Sequence, residues 1–155
     1  MDRLKQRILL TMQRENGIAK VALFSIKPEY VFRIFDKEKK YEYRKRKCHS
    51  DIKGFLIYAT APVKEIVGYA EVLGILEMSP EDLWESTKYA SGLSKNVFEE
   101  YFGNSKRAIA YQLGEVKRFK EPIPLSLLGL KRPPQSYCYI TLEKIAALRE
   151  VYSCI

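Results

Sequence analysis

Short apolar segments separated by proline, glycine and charged residues are the feature that most constrains the fold of this 155-residue chain. Each segment has the length of a strand, and several alternate apolar with polar residues, which is typical of β-structure. The predicted strands are 20–26, 40–44, 54–60, 64–78, 106–119 and 136–140. Because helices do not alternate regularly with these strands, a doubly wound parallel sheet is not expected. The pattern predicts an α+β fold with a small β-barrel of five to six mostly antiparallel strands.

Short helices are predicted beside this barrel from apolar spacing and from capping residues. Proline at a first helical position marks two of them, at Pro28 and at Pro80 after Ser79. Ser94 begins a third helix, which Gly103 ends. The helices are predicted at 1–16, 28–36, 80–87, 95–102 and 141–155. The length suits one domain, 1–155, with a core of about 20–140 between the two terminal helices.

Composition excludes several classes of protein. Hydrophobic residues make up 46% and charged residues 30%, as in globular proteins, and no apolar run reaches the roughly 18 residues that cross a bilayer. Three cysteines, Cys48, Cys138 and Cys154, and one histidine, His49, form neither a disulfide framework nor a metal-ligand pattern. No glycine-rich phosphate loop is present. We therefore predict a cytoplasmic protein without a metal or other cofactor.

Positive charge is concentrated in one segment. The net charge is +8, and residues 37–47 contain seven basic and two acidic residues. Tyr41 and Tyr43 are interleaved among them, and a strand would place Glu42 and Arg44 together on its other face. Basic side chains beside aromatic rings suit phosphates and base faces. A polyanionic partner, such as a nucleic acid or a nucleotide, is therefore expected.

The same segment carries the motif K-x-x-E-x-R, formed by Lys39, Glu42 and Arg44. With the preceding strand and short helix, it resembles the signature of the ASCH family, although Lys37 stands where that family has glycine. Residues 57–72 resemble the family's second block. The S-I-K-P and P-Q-S-Y sequences at 25–28 and 134–137 are similar to those of one branch.

This resemblance implies a PUA-like β-barrel with a cleft bordered by the first strand, the K-x-x-E-x-R segment and the closing strand. It also implies RNA binding or a role in transcription-related proteins. Some members are enzymes, including a bacterial branch that hydrolyses acetylated cytidine. Glu42 stands where that branch has a threonine.

The residues predicted to bind the ligand share these segments. Basic side chains are expected at phosphates, whereas Glu42, Tyr58 and Gln135 are expected to orient a base. The predicted set is Ser25, Lys27, Lys39, Glu42, Arg44, Lys45, Arg46, Tyr58, Thr60, Gln135 and Tyr137. Each also has a structural alternative, such as an exposed ion pair between Glu42 and Arg44 or a core tyrosine at position 58.

Two other functions remain open from the sequence. The chain is a hydrolase of a modified nucleoside, or a ribonuclease, if Lys39 acts as base or electrophile and Glu42 or Glu71 supplies the carboxylate. Alternatively, the helix at 1–16 presents an apolar face to a protein partner. The sequence does not determine the oligomeric state.

Overall fold

A computed structural model describes residues 21–48 and 52–140, and in that range one six-stranded sheet carries three α-helices. The elements are β1 Val21–Ile26, α1 Pro28–Phe35, β2 Tyr41–Arg44, β3 Gly54–Ala59, β4 Glu65–Met78, α2 Pro80–Thr87, α3 Lys95–Phe102, β5 Ala108–Ile123 and β6 Tyr137–Ile140. The predicted terminal helices, His49 and Cys154 lie outside the described residues.

The sheet has the strand order β2-β5-β4-β3-β1-β6. Its neighbouring strands are antiparallel except β1 and β3, which run parallel. The register between β4 and β5 shifts at three places, between Ile66 and Gly68, between Ala70 and Val72, and between Val72 and Gly74. Such bulges increase local twist, and the sheet curls into a half-barrel. The predicted α+β fold with a small, mostly antiparallel barrel is therefore confirmed.

Apolar side chains fill three clusters around this sheet. On one face, α1 packs Val31 and Ile34 against β1 and β3, where the rings of Phe24 and Phe55 stack at 4.2 Å between centroids. The opposite face holds a second cluster, covered by the segment 125–130. The third cluster joins α2 and α3 to the tyrosine face of β2. Helices α2 and α3 thus bring their side chains close to the K-x-x-E-x-R strand.

Strand β5 is longer than the sequence analysis predicts. It continues to Ile123, whereas the predicted strand ends at 119. Ile123 pairs with Ile66 of β4 and is buried in the second cluster, so pairing and burial continue the strand through Pro122. The following turn, Leu125–Leu128, is a short 3₁₀ helix.

Two residues after the end of α1, the chain has a left-handed backbone conformation. Lys37 has a φ of 64°, and the N–H groups of Lys37 and Glu38 donate to the carbonyls of Ile34 (3.1 Å) and Arg33 (3.0 Å). Glycine is the usual residue in this conformation after a helix. This backbone conformation explains why the ASCH motif has glycine at this position. Lys37 adopts the same conformation and is strained by it.

Replacing that lysine is expected to stabilise the protein. The left-handed conformation costs a non-glycine residue roughly 1–2 kcal/mol, and glycine loses roughly 0.5–1 kcal/mol more in chain entropy on folding. Lys37→Gly should raise the free energy of unfolding by up to about 1 kcal/mol in urea titrations, whereas Glu38→Gly should lower it by roughly 0.5–1 kcal/mol. Equal losses in both variants would show that Lys37 is unstrained.

Candidate functional site

Arg44 connects three separate segments of the fold. Its Nη1 donates to the carbonyl and hydroxyl oxygens of Ser136 (3.2 and 2.9 Å), and its Nη2 donates to the carbonyl of Ser25 (3.0 Å). Nη2 also lies 3.3 Å from Glu42 Oε1, and the guanidinium carbon lies 4.6 Å from the centroid of the Phe24 ring. Because Arg44 is only 9% exposed, it is a buried cation that holds β1, β2 and the approach to β6 together.

Lys39 is buried under the loop that follows α2. Its Nζ donates to the carbonyl of Ser91 (3.2 Å), lies 3.9 Å from Glu42 Oε2, and lies 4.6 Å from the centroid of the Tyr43 ring. Gly92 packs so closely on Lys39 that a Cβ there would overlap its side chain. Burial lowers the pKa of Lys39 to about 8, and the Glu42 carboxylate opposes this shift. Lys39 is therefore closer to neutrality at physiological pH than an exposed lysine.

Two polar atoms of this charged cluster have no hydrogen-bond partner in the part of the chain that the structure describes. They are Glu42 Oε2 and Arg44 Nε, both buried. Unpartnered buried polar atoms are rare and costly, and buried ion pairs seldom stabilise a fold better than apolar residues do. The cluster therefore retains an acceptor and a donor that the fold does not use.

Exposed cationic side chains flank β1 and β2 along the chain, and an exposed tyrosine of α3 contacts one of them. Lys27 caps the start of α1, and Lys45 and Arg46 follow β2 directly. Tyr101 of α3 is 39% exposed, and Lys45 Nζ lies 5.4 Å from its ring centroid. Burial raises the pKa of Tyr101, and the Arg44 charge lowers it. We call Lys27, Lys45, Arg46 and Tyr101 the rim of the candidate site.

Three further predicted residues lie near Arg44 on β1 and on the approach to β6. Ser25 Oγ donates to the Pro134 carbonyl (2.6 Å), so its hydroxyl links β1 to the segment that precedes β6. Gln135 is exposed between Pro134 and Ser136, the residue that Arg44 contacts. Tyr137 is half-buried, with its ring centroid 6.0 Å from that of Phe24.

Tyr58, Thr60 and Glu71 are not brought into this cluster. Tyr58 is buried in the second apolar cluster, on the face of the sheet opposite Phe24 and Arg44, which favours its role as a core tyrosine. Its contact with a base stays a prediction. Thr60 lies in the turn after β3, where its N–H donates to the carbonyl of Ile26 (3.0 Å).

Glu71 lies opposite Gly54, whereas Glu42 lies opposite Tyr111, which pairs with Ile75. Four residues of β4 therefore separate Glu71 from the level of Glu42, about 13 Å along the strand. Burial raises the pKa of Tyr69, and the nearby Glu71 carboxylate raises it further.

The sequence analysis did not find Tyr101, Ser91 or Ser136. Tyr101 and Ser91 belong to the α2–α3 region, more than 40 residues from the motif, and no spacing connects them to it. Ser136 is contained in the P-Q-S-Y sequence, which was identified as a family feature without a role for its serine. Only the packing of α3 against β2 and the Arg44 hydrogen bonds identify these residues.

Within 21–48 and 52–140, no group of three His, Cys, Asp or Glu side chains is arranged to hold a metal ion. In the same residues, no helix is long and apolar enough to cross a membrane.

Comparison with known proteins gives consistent matches over most of the chain. A family model described as a domain of unknown function (DUF365) matches residues 19–127. The ASCH domain-containing ribonuclease of Zymomonas mobilis is 31% identical over 137 residues, which covers 83% of this chain and 90% of the relative.

Solved structures give the same fold. The crystal structure of ASCH from Zymomonas mobilis aligns with a TM-score of 0.78 and 27% identity, covering 85% of this chain and 95% of that one. A serine-to-alanine variant of that protein aligns with a TM-score of 0.78 and 26% identity. The half-barrel with its buried K-x-x-E-x-R cluster is thus an ASCH fold, and this chain belongs to the ASCH family.

Burial of Lys39 predicts a specific pH dependence of stability. Because the pKa of this lysine is 10.5 when it is fully solvated and about 8 in the fold, the unfolded chain holds more protons between these values. Stability then rises with pH in this window. Relative to Lys39→Met, the wild type should gain about 2 kcal/mol in the free energy of unfolding between about pH 7.5 and pH 9.5. If the free energies of unfolding of the two proteins changed equally with pH, the burial of Lys39 would be contradicted.

Proposed function

We propose that this protein binds RNA in a basic cleft whose floor is the Lys39–Glu42–Arg44 cluster. The observation that carries the proposal is the pair of unused atoms on the floor, the acceptor Glu42 Oε2 and the donor Arg44 Nε. A nucleobase edge offers N–H donors beside carbonyl or ring-nitrogen acceptors, which is the complementary arrangement. Both atoms are buried, so a base reaches them only when the side chains that cover them move aside.

The rim supplies the chemistry that RNA needs around such a floor. Lys27, Lys45 and Arg46 are exposed cations that suit phosphates. The exposed ring of Tyr101 is a surface on which an unpaired base can stack, a contact worth roughly 1–3 kcal/mol. The likeness to a relative named as a ribonuclease supports RNA over DNA as the partner. We propose the cytoplasm as the location of this RNA binding, an inference that rests only on the composition of the chain.

A specific observation also favours cleavage of the bound RNA as a second function. Glu42 Oε2 lies 3.9 Å from Lys39 Nζ, whose pKa is lowered to about 8. In this reaction the ribose 2′-hydroxyl attacks the adjacent phosphorus as Glu42 takes its proton, and the bond to the 5′ oxygen breaks as Lys39 protonates that oxygen. Hydrolysis of a modified nucleoside by Lys39 and Glu42 is the third candidate function.

The rim cations are expected to set the salt dependence of RNA binding. Each phosphate contact to a single strand contributes about 0.7 to the slope of log K against log salt concentration. Lys45→Ala/Arg46→Ala should therefore reduce the slope by about 1.4 for single-stranded RNA measured by fluorescence anisotropy. Lys45 and Arg46 are exposed, so their truncation should leave the fold intact, unlike truncation of Arg44.

The matched control for this measurement is Lys88→Ala/Lys95→Ala, which removes two exposed lysines from the α2–α3 region. Its slope should equal that of the wild type. Equal slopes in all three proteins would place the phosphate contacts outside the rim. A single-stranded DNA of the same sequence tests whether the 2′-hydroxyl contributes to binding.

Cleavage is expected to depend on the charge of Glu42. Glu42→Gln retains size and an oxygen for Arg44 but cannot accept the hydroxyl proton, so cleavage at saturating protein should fall about 100-fold or more. Single-turnover cleavage of an end-labelled RNA measures this loss. RNA that stays intact with the wild-type protein would rule out the ribonuclease function and leave the binding function standing.

A further inference from the structure

A groove between α2 and α3 opens on the far side of these helices from β2. Its volume is about 240 Å³, enough for one large apolar side chain, and aromatic rings form its floor. The centroid of the Trp84 ring lies 5.0 Å from that of Phe98, and Phe98 lies 4.7 Å from Phe102. Phe98 also contacts Tyr43 at 5.0 Å, so the floor is anchored to β2.

The rim of this groove is acidic in a basic protein. Glu81, Glu85 and Glu99 border it, and all three are exposed. Residues 80–103 contain five acidic and two basic residues, a net charge of −3, so the rest of the chain carries +11. This surface repels RNA and attracts cations.

Two lysines of the same region pair with these carboxylates at the protein surface. Lys88 Nζ lies 2.6 Å from Glu85 Oε2, and Lys95 Nζ lies 3.8 Å from Glu99 Oε1. The side chains of both pairs are at least half exposed. Exposed ion pairs of this kind contribute little, so a cationic partner can displace them.

We propose that the α2–α3 groove docks a protein segment in which one large apolar side chain is flanked by arginine or lysine. The apolar side chain fills the cavity over Trp84, Phe98 and Phe102, and the flanking cations pair with Glu81, Glu85 and Glu99. An apolar anchor within a charged rim is the usual anatomy of a small protein interface. This site is separate from the RNA cleft and does not depend on it.

Trp84 is the only tryptophan of the chain, so its fluorescence reports directly on the groove. The probe is a blocked peptide with a central leucine between two arginines on each side, titrated into the full-length protein. The expected result is a saturable blue shift of Trp84 emission, with a Kd on the order of 10–100 µM. Replacing the peptide's leucine by serine should remove the shift.

Charge reversal separates docking in this groove from general attraction of a peptide to the protein. Glu85→Lys/Glu99→Lys should weaken binding at least tenfold, whereas the control Glu29→Lys/Glu121→Lys, which alters exposed carboxylates away from the groove, should not. Unchanged emission at millimolar peptide, or equal weakening in both variants, would overturn the proposal. A mass that rises with protein concentration and falls in Glu85→Lys/Glu99→Lys would instead identify a second copy of the chain as the occupant.

Discussion

The buried guanidinium of Arg44 is the interaction on which both the closure of the fold and the candidate site depend. It joins the carbonyl of Ser25 on β1 to Ser136 before β6 while it lies over the ring of Phe24. These contacts are structural, and among the nitrogens of Arg44 only Nε remains without a hydrogen-bond partner in the described chain. A residue that closes the barrel also forms the floor of the candidate site. The Arg44 guanidinium is therefore held in place by the fold, which favours binding of a base in one fixed orientation once the site opens.

Much of the fold could be predicted from the sequence because its elements have strong local signals. Ser79 and Ser94 accept from the N–H groups of Asp82 and Val97, so both predicted N-caps are confirmed. The alternation in β2 correctly separates Tyr41 and Tyr43, which face α2 and α3, from the charged pair. The extension of β5 to Ile123 could not be predicted, because a proline stands before it and only pairing with β4 and burial carry the strand onward.

The K-x-x-E-x-R motif of the candidate site could be predicted from the sequence, but the residues packed around that motif could not. Spacing along one strand places Glu42 and Arg44 on a shared face, but it does not show that both are buried or that Lys39 lies beneath Gly92. Tyr101 reaches the site from a helix far along the chain, and Tyr58 faces the opposite cluster because of the order of the strands. The site is thus created by tertiary packing of the α2–α3 region on β2, which has no signature in local periodicity.

The most direct test of this account follows the side-chain Nε–H resonance of Arg44 by NMR during titration with single-stranded RNA. Arg44→Lys identifies the resonance by its loss, and Lys45 backbone resonances report binding at the rim. The account predicts that the Arg44 Nε–H signal shifts in parallel with Lys45 and saturates at the same RNA concentration, because a base acceptor completes its hydrogen bonding. An Arg44 signal that stays unchanged while Lys45 saturates would contradict it, since RNA would then bind the rim without using the floor.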